Sequence, residues 1–456
     1  MSRPARAGLR RRLNQLARAA LGRLPPQTRF ALFRRMIDCD PRPDPRLSLG
    51  IASSQAELEA CFALLHDAYV SSGFMKPHPS GLRVTPYHAL PTTTTLFARF
   101  DGEIVGTLSI IREGVFGFPL QSVFDLGEVR EKGGRIAEIS ALAVHPRFRK
   151  TGGAILFPLM KFMYEYCTAF FDTRHLVIAV NPNRIELYES LLFFKRLQAQ
   201  VVDNYDFANG APAIGATLDL AEAPEIFRQA YGGRRPRKDL HRYFTRTPLP
   251  HIHYPERRYF TTNDPVMSAA LLDHFFNQRT QVFAQFDERK RHLLREIYHE
   301  ASYRRVLPAL AIEEACDEHT ELALRRHRRH SLKCPARLIG MMASGKPVAE
   351  IDLDVIDISL RGFLARSDQA MPVGARGQAR VQLGADLVAV SIATVVRCVH
   401  GETGWFFGFC IDAPDLVWQA CIADLEAQEN PVGESRALTS FDNPDEAWPA
   451  YDTMPA

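Results

Sequence analysis

The feature that most restricts the fold is the run from Arg135 to Ala154. It reads as a strand ending at Val144, a short loop with one proline, and small residues that open a helix. A strand that passes this quickly into a helix belongs to a sheet with helices laid on it. Gly152, Gly153 and Ala154 leave backbone N–H groups uncovered at the helix start. Those donors and the helix dipole favour a phosphate. Arg147, Arg149 and Lys150 add positive charge beside them. The competing reading is a plain strand-to-helix turn.

The flanking sequence repeats the alternation. A strand over Leu47–Ala52 precedes a helix over Gln55–Ser71, where Ser54 and Glu57 have capping-box spacing. Asp101-Gly102 separates two β-rich runs, Thr94–Phe100 and Ile104–Ile111, and predicts a hairpin. Further strands are expected over Ile136–Val144, Leu176–Val180, Leu197–Val202 and Ile214–Leu220, with helices over 153–171 and 184–193. The pattern predicts one mixed sheet flanked by helices over residues 47–230. Residues 231–320 read as a helical connector, with helices over Asp264–Asn277 and Gln281–Arg305. Gly-punctuated strand signals over 348–358, 377–383, 387–399 and 405–411, closed by a helix over 415–426, predict a small antiparallel barrel over 321–427.

The run around Arg149-x-x-Gly152-x-Ala154, followed by Asn183 and Tyr188, resembles the GNAT acyltransferase superfamily. Leu192 stands where that superfamily usually has glycine before phenylalanine. A narrower resemblance is to the autoinducer synthases and the long-chain N-acyl amino acid synthases. It is carried by Arg135-x-x-Glu138-x-Ser140, Leu64-Leu-His66-Asp67-Ala-Tyr69, Arg83-Val-Thr-Pro86-Tyr87 and Gly106-Thr107-Leu-Ser109, and covers about residues 50–220. The resemblance implies transfer of a fatty acyl group from an acyl carrier protein thioester to the amine of an amino acid. Arg147, Arg149, Gly152, Gly153, Ala154 and Asn183 would then hold the phosphopantetheine of the donor.

The chemistry asks little of the protein. The ammonium must lose a proton before it attacks, and Glu138 on the central strand is the candidate base. Backbone N–H groups near Ser140 would face the developing oxyanion. Tyr188 would protonate the leaving thiolate, and Arg83 and Arg135 are candidates for the acceptor carboxylate. Competing readings stand beside these: an ion pair of Glu138 with Arg135, a core aromatic at Tyr188, a β-face hydroxyl at Ser140 and a loop arginine at Arg83.

Arg325-x-x-x-Arg329, followed by Asp357-x-Ser359-x-x-Gly362 at the head of the predicted barrel, resembles the PilZ domains, which bind cyclic di-GMP. Arginine suits phosphates and guanine edges. The resemblance implies that Arg325, Arg329, Asp357, Ser359 and Gly362 bind this nucleotide as an effector.

Charge and cysteine content set outer limits. A formal net charge of +4 in 456 residues gives no case for a nucleic-acid polymer as partner. Residues 1–46 form a basic arm, with ten arginines and no acid up to Ile37; residues 428–456 are an acidic tail expected to be disordered. The arm suits an acidic carrier protein or an anionic membrane surface. The eight cysteines form no CxxC pair, so neither a metal site nor a tightly bound cofactor is expected. With no apolar run long enough to span a bilayer and no signal peptide, the expectation is a cytoplasmic protein, peripheral at most to the inner membrane surface. Two alternatives remain open. One is a homoserine-lactone-type synthase; the other is a catalytically inactive cyclic di-GMP receptor or scaffold.

Overall fold

Ser54 starts the first long helix as its spacing predicts. In the computed structural model the Ser54 hydroxyl accepts from the Glu57 N–H, and the Glu57 carboxylate accepts from the Ser54 N–H. The helix α2 runs over Gln55–Ser71; a shorter α1 over Pro26–Met36 precedes it. The structure describes residues 25–149, 151–255, 258–261, 267–298, 301–310, 329–341, 347–401 and 404–428. The arm before Pro25, Lys150, Arg325 and the acidic tail therefore lie outside the described residues.

The first unit is a mixed sheet. Its strands are β1 (Leu47–Ile51), β2 (Thr93–Phe100), β3 (Glu103–Arg112), β4 (Arg135–Val144), β5 (Thr173–Val180), β6 (Lys195–Arg196), β7 (Val202–Tyr205) and β8 (Ala211–Asp219). They lie in the order β1-β2-β3-β4-β5-β8-β6, with β7 also on β8. Only β4 and β5 run parallel. The β2–β3 turn puts Asp101 at φ 51° and Gly102 at φ 81°, the left-handed pair that a tight hairpin needs.

Helices α3 (Leu156–Glu165) and α4 (Pro182–Leu192) cover one face. The helix expected from residue 153 starts at Leu156, because Gly152 and Gly153 take left-handed φ of 69° and 93°. A π-helical turn over Tyr166–Phe170 then follows α3. The strand expected over Leu197–Val202 is a correction: β6 ends at Arg196 and β7 begins at Val202, so residues 197–201 between them are connection.

The stretch read as a connector is packed onto the sheet, together with the helix that precedes it. α5 (Ala223–Tyr231) and α6 (Leu240–Arg246) put Phe227, Leu240, Tyr243 and Phe244 into the core that holds Leu159 and Phe162. On the opposite face Leu272, Phe275, Phe276 and Phe283 pack with Leu58, Phe62 and Phe97. The helix expected over Gln281–Arg305 is broken: Asp287 caps a shorter α7 over Glu288–Ile297, accepting from the Lys290 N–H at 2.8 Å.

The second unit is a closed antiparallel barrel of six strands in the order β10-β11-β14-β13-β12-β9. These are β9 (Arg329–Met341), β10 (Pro347–Ser359), β11 (Gly362–Ser367), β12 (Arg376–Gly384), β13 (Leu387–Gly401) and β14 (Gly404–Ile411). The terminal helix α8 (Leu416–Gln428) lays Trp418, Cys421 and Ile422 against it. The expected architecture, a helix-flanked mixed sheet plus a small barrel, is therefore the observed one. Strands β9 and β11 complete the ring around the four expected runs.

Candidate functional site

β4 and β5 are hydrogen-bonded only at their beginnings. Their pairing runs from Arg135 opposite Thr173 to Glu138 opposite Val177 and stops there. Beyond it β4 stays on β3 and β5 stays on β8, so the two strands part. Ala141 sits at φ 53° within β4, and the β3–β4 register shifts between Thr107 and Ser109 in the same place. A cavity of about 240 Å³ occupies the opening. Ile139, Ser140, Ala141 and Leu142 line one side, and Ile178, Ala179, Val180 and Asn181 the other.

Glu138 stands at the fork, in the wall of the cavity and 1% exposed. Its Oε2 accepts from the Leu120 N–H at 2.9 Å. Burial pushes its carboxyl up to about 8, against the pull of that one donor. Arg135 is not among the groups acting on it; burial lowers the Arg135 pKa, while Asp172 and Asp354 near its guanidinium oppose that shift. Two tyrosines are close enough to feel Glu138. Burial and then the carboxylate raise Tyr87 to about 12, and the same two causes raise Tyr205 further.

The structure brings several expected residues to this cavity. Ser140 and Tyr188 line it, and burial raises the Tyr188 hydroxyl. Arg83 is buried behind the wall. Its guanidinium lies 4.0 Å from the centre of the Tyr69 ring and donates to the Phe207 carbonyl at 2.5 Å; both aromatic residues line the cavity. Gly152, Gly153 and Ala154 lead into α3, whose Met160 and Met163 face the same space. A side chain at Gly153 would also meet the Phe157 ring at 2.5 Å. Arg147 and Arg149 are exposed; one pairs with Glu103 at 2.6 Å and the other donates to the Val144 carbonyl at 2.8 Å. Asn183, exposed, and Arg135, half-buried, both lie outside the cavity lining.

Two residues were missed in the sequence. Asn181 lines the cavity and caps α4, accepting from the Asn183 N–H at 3.0 Å. Its signal was readable, because Asn before Pro at a helix start is a capping pattern. Tyr205 also lines the cavity and is 2% exposed, with no hydrogen-bond partner for its hydroxyl among the described residues. Nothing local in the sequence marks it.

In the barrel, pairing assembles most of the second motif. Arg329 lies opposite Ser359 across β9 and β10, and Ser359 opposite Gly362 across β10 and β11. Arg329 Nη1 reaches both Asp357 carboxylate oxygens at 3.3 Å. The Ser359 hydroxyl donates to the Gly362 carbonyl at 3.1 Å, and the Ser359 carbonyl accepts from Trp418 Nε1 at 3.0 Å. Gly362 has a packing reason to be glycine: a Cβ there would meet the Phe409 carbonyl oxygen at 2.2 Å. Among the described residues no cluster of His, Cys, Asp or Glu has the arrangement of a metal site. No helix among them is long and apolar enough to cross a membrane.

Known proteins are matched in part. No curated protein matches the chain. A solved structure of FeeM, an N-acyl amino acid synthase from uncultured soil microbes, is 26% identical, with 40% of this chain covering 95% of that one at a TM-score of 0.34. For BjaI, a CoA-dependent acyl-homoserine lactone synthase solved with SAM and isopentyl-CoA, the identity is 19%, the coverage 46% and 95%, and the TM-score 0.34. The PilZ domain of YcgR from Escherichia coli, solved with c-di-GMP, is 21% identical over 23% of this chain and 92% of its own length, at a TM-score of 0.18. Residues 60–219 match the family of the N-acyl amino acid synthase FeeM. That family match, over the residues that build the forked strands and their cavity, supports an N-acyltransferase, an enzyme that moves an acyl group onto an amine.

Proposed function

We propose that this protein transfers a long-chain fatty acyl group from a carrier-protein thioester to the amine of an amino acid. The observation that carries the reading is Glu138, a buried carboxyl raised to about 8 in the wall of the cavity between the parting strands. The acceptor ammonium must lose a proton before it attacks, and a carboxyl raised this far takes that proton at less cost than an ordinary carboxylate would. The freed amine attacks the thioester carbonyl. A C–N bond forms and the C–S bond breaks; the leaving thiolate takes the Tyr188 proton, the tyrosinate takes the second proton of the attacking nitrogen, and Glu138 returns its proton to solvent. Backbone N–H groups of β4 beyond Glu138 supply donors for the oxyanion, since that stretch has no partner on β5. Arg83, behind Tyr69 and Phe207, is the cation for the acceptor carboxylate. The loop at Gly152–Ala154 and the exposed Arg147 and Arg149 are assigned to the donor's phosphate. An acidic carrier protein suits the basic arm.

The barrel is read as the receiver of cyclic di-GMP, through Arg329, Asp357, Ser359 and Gly362 together with Arg325. Binding would act on the acyltransferase unit as an effector. The location that follows is cytoplasmic, at or near the membrane that takes up the lipid product.

The test is mass spectrometry of lipid extracts from a heterologous bacterium expressing the chain beside Glu138→Gln. New N-acyl amino acids that vanish in the variant are the expected result. No new species, with or without a co-expressed diguanylate cyclase, overturns the reading.

A further inference from the structure

Arg184 is a cation that the acyl-transfer reading leaves without a task. It sits in the first turn of α4, four residues before Tyr188, so the two side chains share a face of that helix. Both line the Glu138 cavity. Among the described residues that line it, Glu138 and Arg184 alone carry a formal charge. The acids of α4 are taken by other partners: Glu186 by Arg29 at 2.5 Å and Glu189 by Arg196 at 2.6 Å. The Tyr188 ring packs edge-on against Phe194, with 5.8 Å between centres. Burial raises its hydroxyl, and the Arg184 charge opposes that shift. A tyrosine is a reluctant acid for an alkyl thiolate, because its ordinary pKa near ~10 lies above the ~8.5 of the thiol. Burial makes it more reluctant still. A cation on the same helix face works the other way, by stabilising the tyrosinate.

We propose that Arg184 is a positioning residue for the leaving-group step: its guanidinium stabilises the tyrosinate that Tyr188 becomes when its proton passes to the departing sulfur. The proposal rests on the acyl-transfer reading above. In that step the C–S bond breaks, the Tyr188 O–H bond breaks and an S–H bond forms. The negative charge moves from sulfur to the phenolic oxygen, and Arg184 keeps its own proton throughout. The charge is cancelled when the tyrosinate takes the second proton of the attacking nitrogen.

The test compares two leaving groups. Lauroyl transfer to the acceptor amino acid found by mass spectrometry is followed from lauroyl acyl carrier protein, an alkyl thioester, and from the lauroyl ester of thiophenol. Thiophenolate is the weaker base and leaves without a proton. Wild type, Arg184→Gln and Arg184→Lys are measured as full chains. Expected with the carrier protein is a kcat lowered about tenfold in Arg184→Gln and largely restored in Arg184→Lys. With the thiophenol ester the three proteins should run alike, and KM for the acceptor should not move. Arg184 is exposed, so thermal melts of the variants should match the wild type. An equal loss on both donors overturns the proposal, as does no loss on either. So does a change confined to KM, which would make Arg184 a binding cation for an anionic group of a substrate. Failure of Arg184→Lys to restore the carrier-protein rate overturns it as well. A wild type that yields no N-acyl product from either donor loses the acyl-transfer reading itself.

Discussion

Glu138 and Val177 are the last residue pair that β4 and β5 share. The carboxyl is therefore held by continuous sheet on its N-terminal side and faces open space on the other. Rigid support and access meet at one residue, as a group that must hold a proton at a fixed point requires. As the proposed base Glu138 must act as carboxylate, so kcat/KM should rise with pH along a limb centred near 8. Glu138→Gln should remove the limb and lower the rate by about a hundredfold or more. A pH–rate profile of both proteins checks this.

The same carboxyl has a stability consequence. Its pKa is raised from 4.5 to about 8 on folding, so between those values the folded state binds more protons than the unfolded one. Stability should then fall as pH rises through that window. Glu138→Gln, which carries no titrating group, should gain on the wild type by up to a few kcal/mol between pH 5 and pH 9. Denaturant melts at the two pH values measure the difference.

Tyr205 carries a buried hydroxyl without a partner among the described residues, in the wall that holds Glu138. An unmade hydrogen bond of this kind costs about 1–3 kcal/mol. Tyr205→Phe should raise the melting temperature of the free protein and raise KM for the acceptor, with kcat less affected. Unchanged KM would assign the hydroxyl no part in acceptor binding.

In the proposed cyclic di-GMP site, Arg329 and Gly362 should part into a binding role and a packing role. Arg329 is half exposed and touches Asp357, so Arg329→Ala should weaken cyclic di-GMP binding about tenfold or more at little cost in stability. Gly362→Ala should instead destabilise the barrel, because the added methyl meets the Phe409 carbonyl at 2.2 Å. Calorimetry with cyclic di-GMP beside thermal melts distinguishes the two.

Most of the fold was legible because short-range chemistry wrote it. The Ser54–Glu57 box, the Asp101-Gly102 turn and the Gly152-Gly153 pair each fix local backbone, and each stands where its pattern placed it. The candidate site was half legible. Glu138, Ser140 and Tyr188 fell on the cavity, as strand and helix positions carrying a resemblance would. The fork itself was not legible. It depends on Ala141 holding a left-handed φ that alanine does not advertise, and on pairing between strands far apart in sequence. Tyr205 was hidden for the same reason: only the return of β7 onto β8 carries it to Glu138. The packing of Leu240, Tyr243 and Phe244 on one face of the sheet and of Leu272, Phe275, Phe276 and Phe283 on the other was equally out of reach, because their apolar positions resemble those of any short helix.

The barrel closes on itself, β9 pairing with β10, and that has a topological consequence. A ring of strands offers no ladder of unpaired amides, so it cannot extend the neighbouring sheet or recruit a strand from it. Any effect of the proposed nucleotide on the strand that carries Glu138 must therefore travel through side chains and the covalent thread between the units. The ion pair of Lys333, four residues past Arg329 on β9, with Asp172 at the foot of β5 is one such crossing, and it is a contact that salt can silence while leaving both units folded.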